Sequence, residues 1–281
     1  MKTPKVSVIL PNYNHAPYLC ERLESILTQT YKDFELLILD DGSTDDSYQI
    51  IARYERRARV RVLVNSTNSG SAFSQWNLGI SLACGEYVWI AESDDSADPH
   101  FLETVIPLLD ENPSIGLAYC QSRLINKEGV EVGNSLDWTT DLDPFRWKAD
   151  FMNNGRDEIR KYLVFKNTIP NASAVITRRS VLKDVMPMDT SFKLCGDWMH
   201  WGKVLLQTDL AYIAEPLNHW RLESSNSRIL PPGIMEWNEG QRVIHYLTTS
   251  LGYSESEKTE MLLAFAVRCI NWNSAALTGA C

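Results

Sequence analysis

Two acidic clusters, each following a short apolar run, hold the residues of this chain best suited to chemistry. Leu36–Leu39 leads into Asp40–Asp41, and Tyr87–Ala91 leads into Glu92 and Asp94–Asp95. Carboxylates beside buried strands repel one another and lose hydration unless a divalent cation or hydrogen-bond donors compensate for the charge. The pattern therefore indicates a site for a metal ion and a nucleotide.

Turn formation is the alternative explanation for these clusters. Asp, Gly and Ser favour tight turns and helix N-caps for local reasons, and the stretch 40–43 reads Asp-Asp-Gly-Ser. Two clusters that each close a strand favour a function. Ligands of open α/β sheets collect outside the carboxyl ends of the strands, where both clusters would lie.

The elements that must position these clusters alternate regularly through residue 122. Apolar runs predict strands, and amphipathic stretches between them predict helices. This order predicts an α/β fold with a mainly parallel, doubly wound sheet. The predicted strands are 6–10, 34–39, 60–64, 87–91 and 115–122, and the predicted helices are 18–28, one that carries 50–54, 71–83 and one from Pro99 to about Asn112.

Beyond residue 122 the rhythm changes. Residues 126–129 resemble a hairpin turn, and 137–155 lack a clear period, which predicts a mobile loop. Regular patterns return as helices at 157–165, 197–206, 234–251 and 255–277, a strand at 174–177 and short strands near Tyr212 and His219. We expect one domain over 1–228, with halves 1–122 and 123–228, and a C-terminal helical extension over 229–281.

Composition limits the classes of protein. The 281 residues include 27 Lys and Arg against 36 Asp and Glu, a net charge of −9, which argues against a nucleic-acid groove. The arginine-rich stretch 53–61 is interpreted as a solvated helix end rather than a phosphate or membrane patch. Apolar runs fall far short of the ~20 residues that span a bilayer, and no signal-peptide stretch follows Met1, so a cytoplasmic protein without a transmembrane segment is expected. The six cysteines are scattered and suggest neither a zinc site nor disulfides.

Several ordered segments carry a family resemblance: Val6–Asn14, Ser25–Tyr31, Asp40–Asp45, Asn77–Tyr87 and Ser93–Asp95. They resemble the family-two glycosyltransferases, which have the Rossmann-like GT-A fold. The match is dense to residue 120 and continues more weakly to about residue 228. It implies an inverting transfer of a sugar from a nucleoside-diphosphate donor, most often a UDP-sugar, to a saccharide or lipid-linked saccharide hydroxyl in polysaccharide or glycan biosynthesis. The first half would bind the donor and the second half the acceptor.

The resemblance assigns a donor site. Pro11 and Tyr13 would border the nucleotide base, with Tyr13 stacking on it, and Asp41 would accept a hydrogen bond from a base N–H. Asp94 would hold the ribose and a divalent cation. The implied nucleotide-binding set is Pro11, Tyr13, Asn14, Asp41, Ser69, Gly70 and Asp94.

The resemblance also implies Mn²⁺ or Mg²⁺ on Asp94 and Asp95, because a hard cation stabilises the negative charge of a diphosphate leaving group. Glu92 departs from the family pattern, in which Asp is usual. Glu223 stands where many members carry His, and it is either an oxygen donor to the metal or a surface residue. Arg221 is either a partner of the diphosphate or a surface side chain.

Asp197, in the sequence Cys195-Gly196-Asp197-Trp198, matches the family's general base, which takes the proton of the attacking hydroxyl. Trp198 would be a platform for the acceptor sugar. The alternative is that Asp197 only caps the following helix. Gly196 departs from the family, which usually has an acidic residue there.

Two other classes of function stay open. The first acidic cluster would suit a phosphoryl-transfer enzyme with a strand-end nucleophilic Asp, and the departures at Gly196 and Glu223 would suit a catalytically silent carbohydrate- or nucleotide-binding module. The broadly apolar last helix is expected to pack on the core; docking of a partner, or peripheral contact with the inner face of a membrane that carries lipid-linked acceptors, is the alternative.

Overall fold

The computed structural model describes residues 3–222 and 234–278. Its strands are Val6–Asn12 (β1), Phe34–Asp40 (β2), Val60–Val64 (β3), Tyr87–Ile90 (β4), Ser96–Ala97 (β5), Ile115–Ile125 (β6), Glu131–Asn134 (β7), Phe151–Asn153 (β8), Val175–Arg178 (β9) and Asp209–Arg221 (β10). Its helices are Ala16–Leu27 (α1), Ser47–Ile51 (α2), Ala72–Leu82 (α3), Phe101–Glu111 (α4), Gly155–Glu158 (α5), Arg179–Val185 (α6), Gly196–Leu205 (α7), Ile234–Leu251 (α8) and Glu255–Thr278 (α9).

The strands of the described residues form one sheet in the order β3-β2-β1-β4-β9-β6-β10-β5, with β7 beside β6 and β8 beside β10. Strands β1 to β4 are parallel neighbours, and β10 runs parallel to β6. Strand β9 lies antiparallel between β4 and β6. The expected α/β fold with a mainly parallel sheet is confirmed.

Strand register brings the two acidic clusters to one edge. β1 lies between β2 and β4, with Asn12 opposite Asp40 and Ile9 opposite Ile90. Because these strands are parallel, the turns that follow β2 and β4 both leave the sheet at its carboxyl edge. This is the placement that ligand sites of open α/β sheets have.

Alternating side chains of the strands enter two apolar layers. Val8, Leu36 and Trp89 face the layer that contains α1 and α4, and Ile9 and Leu37 face the opposite layer. That second layer also holds α3, α7 and buried residues of the C-terminal helices: Val243, Ile244, Leu247, Leu251, Met261 and Phe265. The expectation that the last helix packs on the core is confirmed by Met261 and Phe265 of α9.

The segment predicted as a mobile loop contains regular structure. Its Trp147 is buried and donates an indole hydrogen bond of 2.9 Å to the hydroxyl of Tyr119. Trp147 lies in a 3-10 turn, Arg146–Lys148; another 3-10 turn, Ser135–Trp138, precedes it, and β8 follows. A long-range aromatic contact, which local periodicity does not reveal, thus ties this mainly turn-forming segment to the core; its mobility stays a prediction.

The two short strands predicted near Tyr212 and His219 are one strand, β10. Its pairing with β6 shifts register on both sides of Pro216. Proline has no N–H to donate to the ladder, so it produces a bulge. Because of this bulge, the sequence of the single strand β10 has the pattern of two short strands.

Candidate active site

The first acidic turn, residues 40–43, begins with a structural aspartate. The buried Asp40 accepts hydrogen bonds from Asn12 Nδ2 at 2.7 Å and Ser43 Oγ at 2.6 Å. Gly42 has a φ of +71°, and a Cβ there would lie 2.8 Å from the carbonyl carbon of Thr67. The turn explanation therefore accounts for Asp40 and Gly42, and it leaves Asp41 as the candidate for function.

Asp41 lies in a small polar cluster beside this turn. Its Oδ1 accepts hydrogen bonds from Asn65 Nδ2 at 2.6 Å and Gln75 Nε2 at 2.7 Å. Its Oδ2 accepts one from the hydroxyl of Ser69 at 2.7 Å. The structure thus brings together Asp41 and Ser69, which lie 28 positions apart in the chain. The backbone N–H of Ser69 also donates to both oxygens, each at 3.1 Å, so the hydrogen bonds fix the orientation of the carboxylate.

The loop after β1 is tied to the same turn. Asn14 has a left-handed backbone with a φ of 57°, its N–H donates to Ser43 Oγ at 3.0 Å, and its Oδ1 accepts from Thr44 N at 2.8 Å. Pro11 is buried at the end of β1, and Tyr13 is 43% exposed. An exposed phenol ring on a braced loop can stack on a planar base.

Gly70 continues the predicted nucleotide loop after Ser69. Its φ is +75°, and its N–H donates to Asn68 Oδ1 at 2.6 Å. The carbonyl oxygen of Gly70 accepts a hydrogen bond of 2.8 Å from Lys193 Nζ. The loop is therefore held both by a local turn and by a residue of the second half of the chain.

The second acidic turn contains carboxylates in three environments. Glu92 accepts a hydrogen bond of 2.7 Å from the indole N–H of Trp76, and burial together with the nearby Asp94 raises its pKa to about 8. Asp95 is 2% exposed, and its two oxygens accept from Arg221 N and Asn171 Nδ2, each at 2.9 Å. Asp94 is partly exposed. Asp95 is thus engaged by its two donors and Glu92 by the Trp76 indole, and the partly exposed Asp94 is the remaining candidate ligand of this turn.

Arg221 is buried and braces this turn. Its Nε donates to the carbonyl oxygen of Asp94 at 2.7 Å, and its Nη2 donates to Glu21 at 2.6 Å. The guanidinium also lies 4.7 Å from the ring centre of Tyr18. The surface-side-chain interpretation was wrong, because β10 carries Arg221 under the turn. Its pairing with a diphosphate stays a prediction.

A divalent cation was predicted on this turn, and its donor set is small. Within residues 3–222 and 234–278 no group of three or more His, Cys, Asp or Glu side chains could hold a metal ion. Glu223, the third predicted ligand, lies outside the described residues. Mg²⁺-type sites on nucleotide substrates often use one or two carboxylates together with substrate phosphates and water. Asp94 and a bound diphosphate fit that arrangement.

Asp197 lies in the first turn of α7. Its Oδ1 accepts a hydrogen bond of 2.8 Å from Trp198 N, and its Oδ2 accepts one of 3.1 Å from Asn167 Nδ2. The N-cap of the helix is Cys195, so the N-cap explanation for Asp197 was wrong. A helix N-terminus stabilises an ionised carboxylate, which is the form that accepts a proton.

Trp198 cannot serve as the predicted platform for an acceptor sugar. It is 4% exposed, its indole N–H donates to the carbonyl oxygen of Leu163 at 2.8 Å, and its ring packs against Phe265 at 5.8 Å between centroids. The next residue after Asp197 thus faces the core. Trp138 is partly exposed, and its indole donates to the carbonyl oxygen of Asn167 at 2.7 Å.

Sequence reasoning missed the amide and indole donors that orient the acids. Gln75 and Trp76 are consecutive on α3 and donate to Asp41 and Glu92, one to each acidic turn. Asn167 and Asn171 do the same for Asp197 and Asp95. No local spacing marks such residues, although polar side chains at the start of α3 were a signal that the helix faces the site.

The sheet order, with two acidic turns at its carboxyl edge, is that of the GT-A fold. The sequence profile of "Glycosyl transferase family 2" matches residues 7–186, so the chain belongs to that family. The family resemblance predicted from the motifs is confirmed.

Two curated relatives illustrate the match. The chain is 43% identical over 107 residues to the glycosyltransferase GlyG of Streptococcus pneumoniae serotype 4. This match covers 38% of this chain and 35% of GlyG. It is 34% identical over 138 residues to a chondroitin synthase of Escherichia coli, which covers 49% of this chain and 20% of the synthase. The matches thus span about a third and a fifth of these relatives.

Two solved structures share the fold. TarS 1–349 of S. aureus in complex with UDP-GlcNAc superposes with a TM-score of 0.72 at 22% identity, over 93% of this chain and 71% of that one. The mannosyltransferase PcManGT from Pyrobaculum calidifontis in complex with GDP-Man and Mn²⁺ superposes with a TM-score of 0.60 at 19% identity, over 100% of this chain and 76% of that one. None of the described helices is long and apolar enough to cross a membrane.

Proposed function

We propose that this chain transfers a sugar from a nucleoside-diphosphate donor, a UDP-sugar, to a hydroxyl of a glycan or lipid-linked saccharide, with inversion at the anomeric carbon. One observation carries the proposal. Gln75 and Trp76 on α3 each donate to one acidic turn, so a single helix holds both turns at the carboxyl edge of the sheet. Both acidic clusters are therefore tied to the same helix at this edge of the sheet.

The donor nucleotide would lie between the loop after β1 and the first acidic turn. Tyr13 stacks on the base, and Asp41, oriented by Ser69, accepts a hydrogen bond from a base N–H. Pro11 and Asn14 shape the loop beneath the base, and Gly70 lets the backbone approach the nucleotide. The UDP-GlcNAc complex of TarS supports a UDP-sugar as the first donor to test.

The cation would be held by Asp94 at the second acidic turn. Asp95 supports this turn through Asn171 and Arg221, and its own binding to the cation, like that of Glu223, stays a prediction. When bound, Mn²⁺ or Mg²⁺ supplies positive charge opposite the leaving diphosphate. The Mn²⁺ named with PcManGT supports this assignment. A diphosphate partner role for Arg221 would need the guanidinium to leave the turn that it braces.

Asp197 would act as the general base in a single displacement. The acceptor oxygen attacks the anomeric carbon, the bond from that carbon to the diphosphate oxygen breaks, and its electron pair leaves with the nucleotide. Asp197 takes the acceptor proton. Asn167 donates to Asp197 Oδ2 at 3.1 Å and so orients the carboxylate that faces the acceptor.

The acceptor would contact Trp138 rather than the buried Trp198. Trp138 is partly exposed and bonded to the backbone of Asn167, the residue whose amide binds Asp197. Aromatic faces of this kind pack against the apolar faces of sugars. The chondroitin synthase relative supports a polysaccharide acceptor. A lipid-linked acceptor would bring the chain, which we propose to be cytoplasmic, to the inner face of the membrane.

Asp197→Asn tests the proposal. The variant should bind UDP with Mn²⁺ as the parent does, because Asp197 is not in the donor pocket, and should lose transfer by roughly 10²-fold or more, the scale of general base catalysis. Binding is measured by thermal unfolding. UDP at a concentration of 100 times its Kd should raise the free energy of unfolding by about 2.7 kcal/mol. Transfer is measured as UDP release from a panel of UDP-sugars and saccharide acceptors.

Asp184→Asn is the matched control, since Asp184 is an exposed aspartate on α6. It should change neither binding nor transfer. Transfer by Asp197→Asn near the parent rate would remove Asp197 as the base. Binding of UDP by the parent without turnover of any donor would favour the silent binding module instead.

A further inference from the structure

The segment that leads into α7 is held by a carboxylate from the C-terminal helices. The backbone N–H groups of Lys193, Leu194 and Cys195 donate to the side chain of Glu239 on α8, each at 2.8 Å. Glu239 is 6% exposed. Three successive N–H groups on one buried carboxylate form a charge-assisted contact, which is stronger than ordinary backbone hydrogen bonds.

This contact fixes the start of the helix that carries Asp197. Cys195 is the N-cap of α7, and Asp197 follows two residues later. The N–H groups at the start of a helix have no partner within the helix and need one from elsewhere. Glu239 supplies the acceptor just before α7, so the position of the first turn depends on α8.

Helix α8 is itself anchored near Glu239. A Cβ on the adjacent Gly240 would lie 2.2 Å from the ring of Phe265, so the two helices meet closely at that glycine. The ring of Phe265 stacks on Trp237 at 5.6 Å and packs against Trp198 at 5.8 Å. The C-terminal helices therefore contact both the segment before Asp197 and the residue after it.

We propose that Glu239 is a positioning residue for Asp197, an inference that rests on the proposed function. On this proposal the C-terminal helices help to position the active site. They lie outside residues 7–186, the part of the chain that the family profile matches. The same segment also reaches the donor side, because Lys193 Nζ donates to the carbonyl oxygen of Gly70. Glu239 acts on the base through the backbone and touches no substrate.

Glu239→Gln is the first test. Glutamine keeps the shape of the side chain, but only one of its two terminal atoms accepts hydrogen bonds, so at least one N–H of the segment 193–195 loses its partner. Misplacement of a reacting group by about 1 Å can cost about 10²-fold in rate, and we expect kcat to fall by roughly 10-fold to 100-fold. The KM for the donor and the Kd for UDP should change less than kcat does, because Asp41 keeps its donors Asn65, Ser69 and Gln75, and the segment meets the donor loop through the Lys193 side chain and not through the backbone N–H groups that Glu239 holds.

Glu260→Gln is the control, since Glu260 is an exposed glutamate on α9. It should leave kcat and KM unchanged. Glu239→Asp is the second variant; it keeps both oxygens at a shorter reach and should retain more kcat than Glu239→Gln. Hydrogen exchange of residues 193–197 should be faster in Glu239→Gln than in the parent, with the exchange of β1 and β2 unchanged.

The Asp197→Asn background separates positioning from a general structural role. A residue that acts only through Asp197 should change the residual rate little once Asp197 is replaced, because effects on one functional unit are not additive. An equal fold-loss from Glu239→Gln in both backgrounds would overturn the proposal, as would an unchanged kcat in the single variant. A parent chain without any transfer would instead overturn the proposed function.

Discussion

The two aspartates of the first acidic turn differ in what their carboxylates contact. Asp40 accepts from Asn12 and Ser43 within the turn, whereas Asp41 accepts from Ser69 and Gln75, which come from the next loop and helix. Asp40 therefore shapes the turn, and Asp41 links three separate segments of the proposed donor site. Identical side chains in consecutive positions have different roles because the backbone directs them to different surroundings.

His200 is a buried titratable residue beside the site. Neither ring nitrogen has a hydrogen-bond partner among the described residues, and the ring packs against Trp201 at 5.0 Å and Trp76 at 6.3 Å. Burial, with a smaller effect of Lys203, lowers its pKa from 6.5 to about 3. The folded protein thus keeps His200 neutral where an unfolded chain would take up a proton.

Acid should therefore destabilise the fold through His200. The folded pKa lies below the unfolded one, so the stability that this group contributes is complete above about pH 6.5 and is lost as the pH falls toward 3. When the pH is lowered from 7 to 5, the free energy of unfolding of the parent should fall by about 2 kcal/mol more than that of His200→Phe. Urea denaturation at the two pH values measures this difference. His245→Gln, at an exposed histidine of α8, should keep the acid sensitivity of the parent. Equal sensitivity of the parent and His200→Phe would show that the ring is protonated or hydrated in the fold.

Among the elements, α7 meets α3 at a glycine. A Cβ on Gly196 would lie 2.3 Å from the ring of Phe73 and 3.0 Å from the Cβ of Phe192. The departure of Gly196 from the acidic residue usual in the family thus has a packing reason in this chain. The first turn of α7 needs room for the ring of Phe73.

Gly196→Ala should destabilise the protein by about 1–3 kcal/mol, the usual cost of overpacking, and lower the thermal unfolding temperature. In a Phe73→Leu background the same substitution should cost clearly less, because the smaller side chain removes the clash. A thermodynamic cycle of the four proteins measures the difference. The same cost in both backgrounds would mean that the helix start, and not Phe73, limits the residue at 196.

Local patterns in the sequence predicted elements better than they predicted contacts. Strand 60–64 and helix 234–251 have their predicted bounds, because apolar spacing reports which face of an element is buried. The partners of Asp95 could not be predicted, since Asn171 and Arg221 lie 76 and 126 positions away in the chain. The predicted role of Trp198 as an acceptor platform was wrong for a related reason. The sequence pattern predicts the helix α7, but it does not show which face of that helix packs on α9.

In the whole molecule, the C-terminal helices are part of the core. Phe265 on α9 is 5% exposed and lies between Trp198 and Trp237, whereas Leu263 on the same helix is 62% exposed. The described residues of α8 and α9 share their core with α3 and α7; the domain boundary near residue 228 stays a prediction. These helices cover the side of the sheet that carries α3 and α7.

Phe265→Ala should lower the free energy of unfolding by about 3–5 kcal/mol, as a large buried aromatic does. Leu263→Ala should change it by about 0.5 kcal/mol or less, since surface substitutions have small effects. Chemical denaturation of both variants checks the pair. Similar, small losses in both would place α9 on the surface, away from the core.

The brace of Asp95 has a consequence for engineering by fragment exchange. Residues 1–122, the proposed donor half, contain the two acidic turns, but Asp95 takes its hydrogen bonds from Asn171 and Arg221 in the other half. A chimera joined near residue 122 would inherit a buried carboxylate whose partners depend on the foreign half. Residues 1–122 alone are therefore not expected to transfer the donor preference to another protein. A graft must also carry β9, β10 and the residues that precede them.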